Sequence, residues 1–392
     1  MSSPMSEPAR RPRILSISYS TLLRDARVLR QLEVLARHGE VTSLGYGEAP
    51  SGVARHLRLP DGAPSLPRTA AGLPLLATRM LRRAEMAAPG LKKGRELIGN
   101  ERFDLVVAND ARAIPLAMEV ASGAPVWCDM HEWAAEEFSH VTTWRLLVAP
   151  LMDHIARRYL PQAAAVTTVC QPLADRYAER YGIAAPLIVR NAGPYRAELA
   201  PTPVRDDLLR VVHSGGAVPG RNLEMLIEAV IEIPHATLDL YLVGAGDGGG
   251  YLDKLTRLAA GQDRIALRDP VAPDELPATL NAYDVGAFCM PPINVNAEYA
   301  LPNKFFDFVQ ARLAQAVGPA PEMARLVRQY DLGVVSDDFS KDAFVRALRQ
   351  LDPERVRTAK ERSHEHARAL SSERDVAVED ELIERLLTSG VS

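Results

Sequence analysis

Cysteine is scarce in this chain. Cys128, Cys170 and Cys289 are the only three in 392 residues, widely spaced and each set in an apolar run. Neither a disulfide scaffold nor a thiolate zinc site is expected, and a reducing, cytoplasmic setting fits. An excess of one charge is also missing: Lys and Arg total 46 against 50 Asp and Glu, a net charge of -4, with 24% charged and 47% hydrophobic residues. That balance excludes a disordered tail, a collagen-like repeat and a dedicated nucleic-acid binder. No window approaches the roughly 18 consecutive apolar residues of a spanning helix. The polar stretch 1–13, with Arg10, Arg11 and Arg13, reads as a loose tail and not as a signal peptide. His364 and His366 lack a third metal ligand at suitable spacing and read as surface helix.

What is present is alternation. Short β-rich runs alternate with helical periodicity in both halves, the pattern of mostly parallel sheets covered by helices. Strands are predicted over 14–18, 41–44, 105–108, 126–128, 165–169 and 187–189. A helix from about Asp25 repeats Val28, Leu32 and Leu35 at helical spacing and stops at Gly39. Residues 191–210 then break into Asn-Ala-Gly-Pro-Tyr and Ala-Pro-Thr-Pro, a linker composition. A second set follows, with strands over 209–214, 238–243, 284–290 and 333–335, helices over 222–233 and 304–313, and only helix beyond 353. The expected organisation is α/β: two Rossmann-like domains facing across a cleft, at 12–193 and 208–360, joined by a linker at 194–207. C-terminal helices over 361–392 are expected to return to the first domain.

The segment 68–95 is basic, with Arg79, Arg82, Arg83, Lys92 and Lys93 among Leu75, Leu76, Met80 and Leu81. It suits contact with an anionic bilayer or an acidic acceptor, although a solvated helix packed by its apolar side is the simpler reading.

Open parallel sheets bind ligands outside the carboxyl ends of their strands, so the polar residues just after each strand are the candidates. In the first half these include Asp25, the pair Asn109 and Asp110, and His131. In the second they fall at 213–221, 244–247 and 291–307. Gly215 and Gly216 let backbone amides approach an anion, the helix beginning near Asn222 turns its positive end the same way, and Arg221 adds a full charge. A tight turn with a surface arginine is the bland alternative. That turn is neither a P-loop nor a Gly-x-Gly-x-x-Gly fingerprint, which argues against a dinucleotide cofactor.

Lys304, in the first turn of a helix entered through Pro302, offers a mobile ammonium for phosphate. Asp307 follows about one turn later as a carboxylate for vicinal hydroxyls. Together they meet the needs of a sugar nucleotide, unless both are merely exposed helix residues. Gly244 marks a weaker turn. His131, between Asp129 and Glu132, has the near-neutral titration that suits bonding to a sugar hydroxyl or a departing phosphate oxygen. His213 reads as structural, and Glu136 and Glu137 as a solvated helix face before an acceptor lining. Because no Asp-x-Asp triplet occurs, leaving-group charge is expected to be offset by Arg221, Lys304 and backbone dipoles, without a metal.

Several stretches taken in order resemble glycosyltransferase family 4, of the GT-B fold, from residue 14 to about 351. They are Arg24-Asp25-Ala26-Arg27-Val28, Asp129-Met130-His131-Glu132, Val189-Arg190-Asn191-Ala192, the 215–221 turn, Leu301-Pro302-Asn303-Lys304-Phe305-Phe306-Asp307 and Pro321-Glu322-Met323. The resemblance implies transfer of a sugar from a nucleotide-diphosphate donor to an acceptor, with retention at the anomeric carbon and no cofactor beyond the donor. It places Arg221 on the diphosphate, Lys304 on phosphate or donor sugar, Asp307 on the ribose hydroxyls and His131 near the reacting carbon. Gly215, Gly216, Gly244, Tyr299 and Asn303 complete the donor side; Asp25, Asn109 and Asp110 form the acceptor side.

The chain departs from the family pattern at four points. Gly216 stands where the family has a phosphate-binding arginine, Tyr299 and Asp307 where it has two glutamates, and Pro302 in its glycine-bearing loop. The missing arginine and the displaced glutamate motivate one alternative, a nucleotide-sugar-binding partner or regulatory protein without turnover; a same-fold nucleotide-sugar isomerase is another. The acceptor, whether glycan, lipid-linked saccharide or small metabolite, is not encoded legibly, nor are the donor base and the oligomeric state. A cytoplasmic protein with peripheral contact to the inner membrane face and no nucleic-acid partner is expected.

Overall fold

A computed structural model describes residues 10–244 and 249–389. The chain forms two compact units, one from residue 10 to Val189 together with residues from Val376 onward, the other spanning Arg190–Asp375. The first is built on seven strands: β1 (Arg13–Thr21), β2 (Glu40–Tyr46), β3 (Arg55–Arg58), β4 (Leu105–Asn109), β5 (Val126–Met130), β6 (Ala165–Thr168) and β7 (Leu187–Ile188). They lie in the order β3-β2-β1-β4-β5-β6-β7, and every pair is parallel. Leu-Val-Val-Ala-Asn of β4 and Val-Trp-Cys-Asp-Met of β5 are buried throughout, as strands covered on both faces must be.

The second unit repeats the plan with β8 (Leu209–Ala217), β9 (Ala236–Gly244), β10 (Ile265–Arg268), β11 (Val285–Phe288), β12 (Ala314–Val317) and β13 (Gly333–Val335). Their order is β10-β9-β8-β11-β12-β13, again all parallel. In each sheet the winding reverses once, between β1 and β4 and between β8 and β11. Such a switch point leaves a crevice at the carboxyl ends of the two strands, where ligands of doubly wound folds bind.

Helices fill both faces. In the first unit Asp25 caps the helix Ala26–His38, its carboxylate accepting from the Val28 amide at 3.2 Å. Leu382, Ile383 and Leu386 of the helix Ser372–Ser389 pack with Ile14, Val28 and Trp127 in the core of that unit. In the second, Gly286 makes room for Phe308, whose ring would lie 2.3 Å from a Cβ there. Residues 190–208 contain no helix or strand, yet they are fastened to the second unit by Arg196 donating to Asp274 O at 2.6 Å and Thr202 to Asn281 O at 2.8 Å. Among the described residues no helix is long and apolar enough to cross a membrane.

Three strands were not anticipated. Arg-His-Leu-Arg of β3 is mostly polar, Ile-Ala-Leu-Arg of β10 is a four-residue edge, and Ala-Gln-Ala-Val of β12 carries only one β-branched residue. β12 begins at Ala314, directly after the point where the expected 304–313 helix was to have ended. The real helix, Asn303–Gln310, stops early because Arg312 turns left-handed at φ 60°. β8 runs longer than expected: Gly215 and Gly216 are its last-but-two and last-but-one residues, paired with Leu242 and Val243, and the turn comes after them.

Candidate functional site

In the first unit the candidate cluster sits where β4 and β5 end. Asp129, at 0% exposure, takes a bidentate pair from Arg27 at 2.6 and 2.8 Å, Thr167 Oγ1 at 2.5 Å and Gln31 Nε2 at 3.2 Å. Arg27 also donates to Val189 O at 2.7 Å. Burial alone would raise the Asp129 pKa, but the Arg27 charge and the His131 and Arg27 hydrogen bonds outweigh it and hold the carboxyl well below the usual range. His131 is thereby fixed between two carboxylates. Its Nε2 donates to Asp129 at 3.2 Å, its Nδ1 lies 3.4 Å from Asp110, and its amide donates to Asp110 at 3.2 Å. Asp110 itself is left-handed, φ 64°.

The consequence corrects the near-neutral titration expected of His131. Burial pulls its pKa down, yet the charges of Asp110 and Asp129 prevail and lift it to about 9, so the ring is an imidazolium, donating from both nitrogens, through neutral pH. Glu132 moves the other way: burial and the neighbouring Glu137 and Asp110 push it up to about 8. Glu137 is not on a solvated helix face; it is half-buried and paired with Arg112.

In the second unit the cluster sits at the switch point. Lys304 is 7% exposed, so its ammonium is not mobile. Nζ lies 3.1 Å from His213 Nε2 and 4.6 Å above the Phe288 ring. His213 Nδ1 is 2.8 Å from Ala287 O, which requires the proton on Nδ1 and leaves Nε2 as an acceptor for the Lys304 amine. Burial first, and then Lys304, hold the His213 pKa well below its ordinary value, so the ring stays neutral. Lys304 is pulled well below its own ordinary value by burial and by Arg221, against a smaller opposing pull from Asp307. Two basic side chains therefore share one pocket, where burial and Arg221 disfavour charge on Lys304.

Gly215 and Gly216 are what let the two cations approach. A Cβ on Gly215, where φ is 134°, would meet Lys304 Nζ at 2.8 Å, and one on Gly216 would meet Arg221 Nη1 at 3.4 Å. Arg221 bonds Gly216 O at 3.4 Å. Gly244 ends β9 opposite Ala217 and has nothing within 4 Å of a Cβ position, while Ala245 and Gly246 lie outside the described residues. Asp307 is one turn along from Lys304, its Oδ1 3.7 Å from a Cβ position on Gly193. Asn303 opens the same helix, and Tyr299 ends the short helix Val295–Glu298 before it.

The expected donor-side residues Gly215, Gly216, Arg221 and Lys304 thus meet in one unit, as do His131 and Asp110 in the other. The expected acceptor residues have local duties as well: Asp25 caps a helix, and Asn109 is buried, bonded to Ser16 Oγ at 3.3 Å. Two contributors escaped the sequence reading. Arg27 lay inside a quoted stretch but gave no sign that its partner was Asp129, 102 residues away. His213 is structural as expected, but its structure serves Lys304. His364 and His366 are also engaged, the first accepting from Arg312 at 3.0 Å and the second packed on Tyr330. Among the described residues no group of three or more His, Cys, Asp or Glu is arranged to hold a metal ion.

Two cavities adjoin these elements. One of about 520 Å³ in the first unit is lined by Thr21, Tyr46, Asp61, Ser65, Leu66 and Arg68, beyond β1 and β2. One of about 740 Å³ in the second flanks the turn after β8, and its Lys254 is already paired with Glu224 at 2.6 Å.

Two doubly wound parallel sheets in series, with a buried lysine and a half-buried arginine at the switch point of the second, are the parts of a GT-B protein. Residues 26–191 match Glycosyltransferase Family 4, and the chain as a whole has the GT-B fold. Over 97% of its length it is similar to the whole of a sucrose-phosphate synthase from Thermosynechococcus elongatus, with a TM-score of 0.73 and 14% identity. Over 96% it is similar to the whole of Anabaena HepE in complex with UDP and glucose, at TM-score 0.64 and 16% identity. Over 96% it is also similar to 99% of the E. coli trehalose-6-phosphate protein bound with UDP-2-fluoro glucose, at TM-score 0.64 and 10% identity. No curated protein matches its sequence.

Proposed function

We propose that this chain is a retaining transferase that moves a sugar from a nucleotide-diphosphate sugar to an acceptor, with the second unit holding the nucleotide and the first the acceptor. The observation that carries this is the pocket in which Lys304, held by neutral His213, lies close to Gly215 and shares the site with Arg221. A buried lysine beside a half-buried arginine, with only Asp307 among the described residues as a nearby opposing charge, is a poor resting arrangement and a good diphosphate site. In the reaction the bond from the anomeric carbon to the diphosphate oxygen breaks, a bond to the acceptor oxygen forms on the same face, and the acceptor proton passes to the departing diphosphate. Lys304 and Arg221 stabilise the charge that develops on that leaving group, the term that dominates most such reactions. Asp307 takes the ribose hydroxyls, and the His131 imidazolium donates to the donor sugar.

The acceptor enters the first unit by the cavity beside Thr21 and Tyr46, near Asp25, Asn109 and Asp110. Uridine diphosphate is the first nucleotide to try, since two of the similar structures hold it or a sugar carried on it. The test is a panel of nucleotide sugars with candidate acceptors, scored for free nucleotide and for product configuration. Release of nucleotide with an α-linked product from an α-linked donor is expected, and turnover is expected to survive EDTA. Nucleotide binding with no release across the panel rejects the transferase reading; loss of turnover with EDTA rejects the metal-free one.

A further inference from the structure

Part of the first unit's surface combines exposed apolar side chains with arginines. Among the described residues nine large apolar side chains are exposed, and five of them, Leu73, Met80, Phe138, Val141 and Leu146, come from just two short segments. These segments touch. Arg79 donates to Leu146 O at 2.7 Å, the Arg68 guanidinium lies 5.6 Å from the Trp144 ring centroid, and the Phe138 ring packs edge-on against Trp144 at 4.9 Å. Residues 62–84 contain Arg68, Arg79, Arg82 and Arg83 and no Asp or Glu; residues 138–152 contain Arg145 and likewise no acid. The chain as a whole has a net charge of -4, so this face gathers positive charge against the overall balance. Among the described residues none of its five guanidiniums makes an ion pair, and Arg79 is engaged only by backbone carbonyls.

We infer that this face docks on the surface of an anionic lipid bilayer. Apolar side chains interleaved with unpaired arginines match the two layers such a surface presents, acyl chains below and phosphate headgroups above. A second copy of the chain would set five unpaired cations against five. A nucleic acid would meet the arginines but give Leu73, Met80 and Leu146 nothing to bury against. Arg68 also lines the cavity beside Thr21 and Tyr46, but the residues varied below line neither that cavity nor the diphosphate pocket, so the inference does not depend on the transferase reading.

The experiment is co-sedimentation of the full chain with vesicles of phosphatidylcholine alone and of phosphatidylcholine mixed with phosphatidylglycerol. The wild type is expected to pellet with the anionic vesicles only. A basic residue at such a surface strengthens binding roughly fivefold, so Arg82→Glu with Arg83→Glu should weaken it by at least about tenfold. Leu73→Ser with Leu146→Ser should weaken it too and leave a remainder that salt abolishes. All these positions are exposed, and an unchanged melting temperature and unchanged uridine diphosphate affinity verify that each variant is folded. The inference is overturned if the wild type stays in the supernatant with anionic vesicles, if both variants pellet as it does, or if DNA or an acidic polypeptide retains the chain while vesicles do not.

Discussion

Lys304 shows how one residue type in one place acquires a function through its surroundings. Asn-Lys-Phe-Phe-Asp announces a helix with a cation in its first turn, and that much is legible. Its burial is not, because the neutral imidazole that accepts its N–H belongs to β8, 91 residues earlier, and the Phe288 ring beneath it to β11. His131 is the opposite case. Its position after a strand marks it in the sequence, but two carboxylates, one of them at the end of β4, change a neutral-range histidine into a cation. Since its folded pKa of about 9 lies above the ordinary 6.5, its contribution to stability is complete below about pH 6.5 and is lost as pH rises through about 9. Melting temperature should therefore fall between these limits by more in the wild type than in His131→Ala, and a pH profile of both proteins checks this. The same variant should lose turnover at least tenfold while keeping nucleotide affinity; a loss of affinity alone would remove His131 from the reacting centre.

At the scale of elements, the ends of parallel strands do the positioning. The Arg27–Asp129 pair joins the helix Ala26–His38 to β5 with both side chains almost fully buried. Asp129→Ala leaves a buried guanidinium without its carboxylate and should cost about 3–5 kcal/mol, measurable by urea denaturation; a loss under 1 kcal/mol would mean the site relaxes or admits water. The end of β8 is equally constrained. Gly215→Ala places a methyl group where Lys304 Nζ lies, at a backbone angle that favours glycine, so it should lower diphosphate affinity by about tenfold or more while the unit remains folded. Strands with aliphatic runs, such as β1, β4 and β8, could be read directly because burial on both faces demands such runs. Those that could not, β3 and β12, are held by their neighbours: Ala-Gln-Ala-Val is a strand because β11 and β13 flank it.

For the whole molecule, the two α/β units and the order of the family-like stretches were legible, since periodicity and punctuation are local properties. The strand order, the switch points and the gathering of unpaired arginines with exposed apolar side chains on the first unit were not, because each depends on segments far apart in sequence. The similar structures share 10–16% identity with this chain, so what is common to them is the doubly wound frame. The central claim is that the frame of the second unit holds a diphosphate on Lys304 and Arg221. Calorimetric titration with uridine diphosphate in EDTA tests it, run at about pH 8, where the phosphate is fully ionised. Arg221→Ala and Lys304→Ala should each weaken binding about 10- to 100-fold. Affinity unchanged in both variants would contradict the account.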